Sequence, residues 1–186
     1  MHNILARLNA ILAFSFTVLA GLTFLCFLTT VAKDYSVDVR VRDLTGRVNV
    51  AYVNGLGEVE ESIITGDLEV DLTPLFDWNA KELFVYLIAE YVTPNSPNSH
   101  NQIVLWDRII KRGESAKINQ KKFAQEYRLL DDRKALKTNP NVTLFLQWNV
   151  IPNAGALTTA RGRGSQSIAM PDTYSPLRPN KQRGAG

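Results

Sequence analysis

From Leu8 to Ala32 the chain reads LNAILAFSFTVLAGLTFLCFLTTVA, with no charged side chain between Arg7 and Lys33. At 1.5 Å per helical residue this run reaches about 37 Å, more than the roughly 30 Å hydrocarbon core of a bilayer. One membrane-spanning helix is the reading that follows. No second run of this kind exists in the remaining sequence, so the protein acts through one modest domain held at a membrane surface.

A cleaved secretory signal is the rival reading. Such signals carry a basic start, an apolar core of roughly 7 to 15 residues and small residues before the cut. Arg7, the apolar run, Thr30 and Ala32 could fill those roles. Length and the bulky Phe24, Leu25, Phe27 and Leu28 favour an uncleaved anchor. Orientation stays open at this level. Lys33, Arg40, Arg42 and Arg47 outnumber Arg7 and the α-amine, which on a positive-inside count puts the C-terminal part in the cytosol. Asn141-Val142-Thr143 is a glycosylation acceptor, useful only on the lumenal side, and so points the other way.

Outside the helix about 140 residues remain, enough for one core of ordinary size. The formal charge is +3, but much of the basic excess lies late, in Arg161, Arg163, Arg178, Lys181 and Arg183. Without interleaved aromatics or a recognition-helix pattern this is a solvated end, and no nucleic-acid partner is expected. Cys26 is the single cysteine and lies inside the apolar run, so the soluble part has neither a disulfide nor a cysteine-based zinc site.

The soluble part reads as strands. Val37, Val39 and Val41 alternate with charged residues, Gly46 is read as a turn, and Arg47 to Val53 as a returning strand before the loop Asn54 to Gly57. Leu68, Val70 and Leu72 alternate in the same way up to Thr73-Pro74. After an apolar corner at Leu75 to Trp78, the continuous run Leu83 to Ala89 suits a strand buried on both faces. Val92 to Asn101 is read as an exposed loop and Ile103 to Ile110 as a strand interrupted at Asp107-Arg108. Glu114 to Lys137 is weakly patterned, an edge strand or short helix. Val142 to Val150 is the clearest strand, and Gln166 to Met170 supplies a final short one. Together these give a mainly β fold: a single N-terminal transmembrane helix followed by an antiparallel β-sandwich-like domain.

Little in the soluble part suggests chemistry. His100 has no second histidine or cysteine at ligand spacing, and no serine sits in a nucleophile elbow, although a serine with a lysine base follows no spacing rule that the sequence could exclude. Arg161-Gly162-Arg163-Gly164 could cradle an anion but follows no phosphate motif and reads as a flexible loop. Trp78, Trp106 and Trp148 read as core anchors. No catalytic residue, metal site or cofactor is assigned, and the residues describe a non-catalytic, membrane-tethered β-domain.

Several blocks together are specific: ARLNAILAFSFTVLAGLTFLCFLTT, FDWN (Phe76 to Asn79), LFVYLIAEY (Leu83 to Tyr91), NQIVLWD (Asn101 to Asp107), NVTLFLQWNVIPNAG (Asn141 to Gly155) and PDTY (Pro171 to Tyr174). In this order and spacing the sequence resembles the signal peptidase complex subunit 3 family, with departures at Asp43 to Glu60, Glu114 to Lys137 and after Tyr174. The resemblance implies a short cytosolic N-terminus at 1–10, a signal-anchor helix at 11–32, a lumenal β-rich domain at 33–174 and a basic, disordered tail at 175–186. It implies an endoplasmic reticulum membrane protein carrying a glycan on Asn141. Its partners would be the catalytic signal peptidase subunit, other subunits of that complex and membrane lipid. The implied role is non-catalytic support of a serine protease that removes signal peptides. A lumenal adaptor that binds extended clients by strand addition is the alternative.

Overall fold

The computed structural model describes residues 3–31, 33–93 and 96–176. Among the described residues one α-helix, α1 (Ile4–Val31), precedes eight strands, with a short 3-10 turn at Thr73–Leu75. Mean hydropathy over the span Ile4–Thr30 is 2.4, and the most apolar part of that span buries nothing against the protein itself. Its large side chains, among them Phe14, Phe16, Leu19, Phe24 and Leu25, point outward on all sides, as lipid rather than a core requires. The hydroxyls inside it are satisfied internally. Ser15 donates to the Ile11 carbonyl at 2.9 Å, Thr17 to Ala13 at 2.9 Å and Thr23 to Leu19 at 2.8 Å, so none faces hydrocarbon unpaired.

The strands are β1 (Val39–Val53), β2 (Gly57–Asp71), β3 (Ala80–Thr93), β4 (Ser96–Lys111), β5 (Lys117–Gln120), β6 (Leu129–Asp131), β7 (Val142–Pro152) and β8 (Thr158–Ile168). They form two antiparallel sheets. In the first, β2 lies between β1 and the short β5 and β6; in the second the order is β4-β3-β7-β8. The core fills the space between them, with Val48, Ile64 and Leu68 from one sheet meeting Leu83, Val85, Leu87, Leu144, Leu146 and Trp148 from the other. The mainly β, sandwich-like architecture expected from the alternation is what forms.

Several local expectations need correction. Gly46 is not a turn: β1 runs through it as one strand, with the end of the Met170 side chain packed over it, 2.8 Å from where a Cβ would lie. The real reversal is at Asn54 to Gly57, where Gly55 and Gly57 adopt φ of 89° and 79°, values that favour glycine. Much of Val92 to Asn101 is strand rather than loop, since β3 extends to Thr93 and β4 begins at Ser96. Asp107-Arg108 does not interrupt β4, because an edge strand tolerates charges that reach solvent. Of the two readings of Glu114 to Lys137 the edge strand holds and the short helix does not: the segment contributes β5 and β6 beside β2, each too short to show a period.

Arg161 to Gly164 is no loop either, but the middle of β8. The Arg161 guanidinium sits 3.6 Å over the Phe145 ring, while Gly162 is buried where a side chain would strike Val39 and Trp148. Gly164, at φ 132°, leaves no room for a Cβ against the Val39 carbonyl. These glycines let β8 reach across to the start of β1 and the linker before it, where the Arg163 amide donates to the Val37 carbonyl at 2.8 Å. The run Leu83 to Ala89 is buried along its inner face, whereas on the outer face Ile88 is buried and Phe84 and Tyr86 are only half-buried.

Candidate functional site: the membrane junction

Residues 32–38 are all that separates the helix from β1, and from Lys33 on almost every one is tied down. Lys33 Nζ lies 2.7 Å from Asp77 Oδ2 and 5.0 Å over the Tyr35 ring. The Tyr35 carbonyl accepts a hydrogen bond from the Trp148 indole at 3.0 Å, inside the core. Arg163 on β8 donates to Asp38 at 2.9 Å and to Ser36 Oγ at 3.0 Å, and approaches Asp34 to 3.8 Å. A linker of this length would be a flexible hinge if left free. Here its backbone and side chains are anchored to the β4-β3-β7-β8 sheet and the loop that leads into β3.

The same end of the sandwich is closed by two loops. Asp77, at the start of the turn into β3, accepts the amides of Asn79 and Ala80 at 2.9 and 2.8 Å, an Asx-type turn that stops the preceding 3-10 turn and launches the strand. Asn79 is buried and makes a reciprocal pair with the loop after β7: its Nδ2 donates to the Ala154 carbonyl at 2.7 Å, and the Ala154 amide returns a bond to its Oδ1 at 3.1 Å. That second loop presses on the helix. A Cβ on Gly155 would lie 3.0 Å from Thr30 Oγ1 and 3.6 Å from the Phe27 Cα. Arg112, at the end of β4, donates to the carbonyls of Asp77 and Ala80.

Burial works against charge on Asp77, but the bond from Lys33 and those from the Ala80 and Asn79 amides prevail and hold its carboxyl below the ordinary aspartate value. Burial, and then the neighbouring Asp77 charge, push the Tyr35 phenol up. The junction thus contains the Lys33–Asp77 ion pair, the contacts of Arg163 with Asp38 and Asp34, and a tyrosine whose phenol is pushed toward its neutral form.

Asn141 lies at the far end. It is exposed just before β7, with its amide donating to Asn139 Oδ1 at 3.1 Å and its own Oδ1 accepting from the Thr143 hydroxyl at 3.3 Å. The eleven residues of β7, at about 3.4 Å each, separate this end from the junction by roughly 35 Å.

Among the described residues no reactive constellation accompanies these features. His100 stands on β4, not in a loop, and faces Glu90 at 3.6 Å on the surface. Among the described residues no group of His, Cys, Asp or Glu could hold a metal ion. Two buried carboxylates serve the fold. Glu60 accepts the amides of Leu136 and Lys137 and the Tyr174 hydroxyl. Asp131 accepts the Tyr91 hydroxyl at 2.9 Å and the Ala135 amide at 2.7 Å; burial and this carboxylate push the Tyr91 phenol up. Both organise the loop 131–137. Of the three tryptophans, Trp106 and Trp148 are core anchors as expected. Trp78 is not: it is 64% exposed, because the turn made by Asp77 and Asn79 turns it outward. What the sequence reading missed was the pairing of Lys33 with Asp77 and the clasp around Asn79. The D-x-N pattern directly ahead of a strand was the available signal.

A family model described as a signal peptidase subunit matches residues 1–173. The chain belongs to this signal peptidase subunit family. Signal peptidase complex subunit 3 of Homo sapiens is 47% identical over 178 residues, covering 94% of this chain and 97% of the human protein. The Drosophila melanogaster protein of the same name is 45% identical over 179 residues, with coverage of 94% and 98%. A Mus musculus protein named adipocyte-related X-chromosome expressed sequence 1 is 44% identical over 177 residues, at 94% and 97%. Family membership therefore covers both the helix and the sandwich, and it spans every element of the junction.

Proposed function

We propose that the protein is the non-catalytic subunit of a signal peptidase complex in the endoplasmic reticulum membrane, with its N-terminus cytosolic and its β-domain lumenal and glycosylated at Asn141. On this reading it supports and positions the catalytic serine-protease subunit. The observation that carries the positioning role is the clamped linker: helix and sandwich are joined by an ion pair, an indole bond and a three-way arginine contact rather than by a loose tether. Peptide-bond cleavage beside a bilayer needs reacting groups at fixed height and orientation, since a displacement of about 1 Å can cost on the order of a hundredfold in rate. A domain rigid with respect to its own membrane helix supplies such a reference frame to whatever packs on it.

The test is affinity purification of the full chain from membranes. Stoichiometric recovery with a serine-protease subunit and with signal-peptide cleavage activity, together with inactivity of the chain purified alone, is expected. Peptidase activity of the lone chain, or recovery without a protease, would refute the assignment.

A further inference from the structure

The exposed Trp78 has a counterpart on the neighbouring loop. Leu157, between β7 and β8, is 58% exposed, and its loop is the one clasped by Asn79 and pressed on the last turn of α1 through Gly155. Two large apolar side chains thus project from the two loops that abut the end of the membrane helix. Large exposed apolar groups cost solvation in water, whereas tryptophan is favoured at the headgroup level of a bilayer, where its ring is buried and its N–H stays wet. Charge is arranged to match. Lys81, Lys111 and Arg112 are exposed at the same corner, with the Arg112 amide donating to the Lys81 carbonyl at 3.0 Å. Glu114 shares this corner and is engaged by the Lys111 amide, while the nearby Asp77 is neutralised by Lys33.

We propose that this end of the sandwich is itself a lipid-contacting surface: Trp78 and Leu157 enter the headgroup boundary of the leaflet from which α1 emerges, and Lys81, Lys111 and Arg112 lie over anionic headgroups. The inference rests on the reading of α1 as a membrane anchor. It goes beyond that reading because the helix alone fixes height, whereas contacts to one side of it also fix the tilt of the domain on the membrane.

Tryptophan fluorescence of the full chain, reconstituted in phosphatidylcholine vesicles with and without lipid brominated near the headgroup end of its acyl chains, tests this. Subtracting the spectrum of Trp78→Tyr removes the signal of the buried Trp106 and Trp148. Brominated lipid should quench the Trp78 component, aqueous iodide should not, and Leu157→Asp should reduce the lipid quenching. Iodide quenching without lipid quenching, in chain that resists alkaline extraction, overturns the proposal and leaves the anchor intact. Release by alkaline extraction overturns the anchor and the proposal with it. Adding phosphatidylserine should strengthen lipid quenching in the native chain and not in a Lys81→Gln, Lys111→Gln double variant; an equal gain in both overturns the electrostatic part.

Discussion

Asp77 gives the sharpest test of the junction, because its two oxygens do separable work. Oδ2 holds Lys33, and Oδ1 accepts the two amides that start β3. Asp77→Asn keeps an oxygen for the amides and removes the ion pair. The Lys33 and Asp77 side chains are 31% and 21% exposed, so solvent screens part of the attraction and the loss should be about 1 kcal/mol. Asp77→Ala removes all three contacts. Bonds to a charged group contribute about 1.5 to 3 kcal/mol each, but the freed amides recover some hydration, so about 3 kcal/mol is expected. For a chain of this size each kcal/mol shifts Tm by roughly 2–4 °C, so thermal melts of the full chain in detergent, followed by near-UV circular dichroism, should show falls of about 3 and about 9 °C. The pH dependence has a definite sign. Because the folded carboxyl titrates below 3.8, the stabilisation is complete above that unfolded value and is lost as pH falls through the folded value. The gap between native chain and Asp77→Asn should therefore be full at neutral pH and close in strong acid. A gap that persists unchanged in acid, or an Asp77→Ala no worse than Asp77→Asn, would refute the division of labour between the two oxygens.

Gly164→Ala should destabilise by about 3 kcal/mol or more, since it combines left-handed φ with a clash against the Val39 carbonyl; a chemical melt within 1 kcal/mol of native would contradict the β1 and β8 packing. Tyr91→Phe should cost about 1 to 2 kcal/mol by leaving the buried Asp131 carboxylate short of a donor, with the loop 131–137 losing amide-exchange protection first. Asn141→Gln should abolish a glycosidase-sensitive mass shift in cells without changing Tm measurably, because the Asn141 side chain is exposed; a glycosidase shift that survives the substitution would locate the glycan elsewhere.

Strands with one wet face were readable because alternation is imposed by burial itself: Val142 to Val150 and Leu68 to Leu72 could sit only one way on the core. Readings failed where glycine or charge served tertiary contact instead of local geometry. Gly162 and Gly164 look like punctuation, yet each marks a place where another segment passes too close for a Cβ, and Gly46 lies mid-strand under the Met170 side chain. Arg161 looks like a solvated charge, yet it roofs Phe145. The candidate site was illegible for the same reason. Lys33 and Asp77 are 44 residues apart, and Tyr35 and Trp148 are 113 apart, so no window along the chain contains both members of either pair. The FDWN and NVIPNAG blocks were recognisable by resemblance, but only the fold shows that Asn79 joins one to the other.

The structure also bears on the charge count that opposed a lumenal domain. That count treated Lys33, Arg40, Arg42 and Arg47 as a flanking loop. The bias applies to short loops, of up to about 60 residues, whereas longer segments and domains translocate largely regardless of their charge. Arg40, Arg42 and Arg47 all belong to β1, the first strand of a sandwich that continues to Ile168. Lys33 alone abuts the helix, opposite Arg7 and the α-amine; Arg40, Arg42 and Arg47 fall within the roughly 15–20 residues of the helix end that the rule counts, but they open a long domain that translocates largely regardless of charge. The charge count is therefore a weak determinant for this helix. Orientation then falls to other determinants, such as the length and apolarity of α1 itself. Adding two lysines at Asp34 and Ser36, next to the helix and outside the sheets, restores a bias the rule can act on. It should shift a fraction of the chains to the opposite orientation, read as loss of the Asn141 glycan. Full glycosylation of that variant in chain that remains membrane-integrated would show that flanking charge has no hold on this helix.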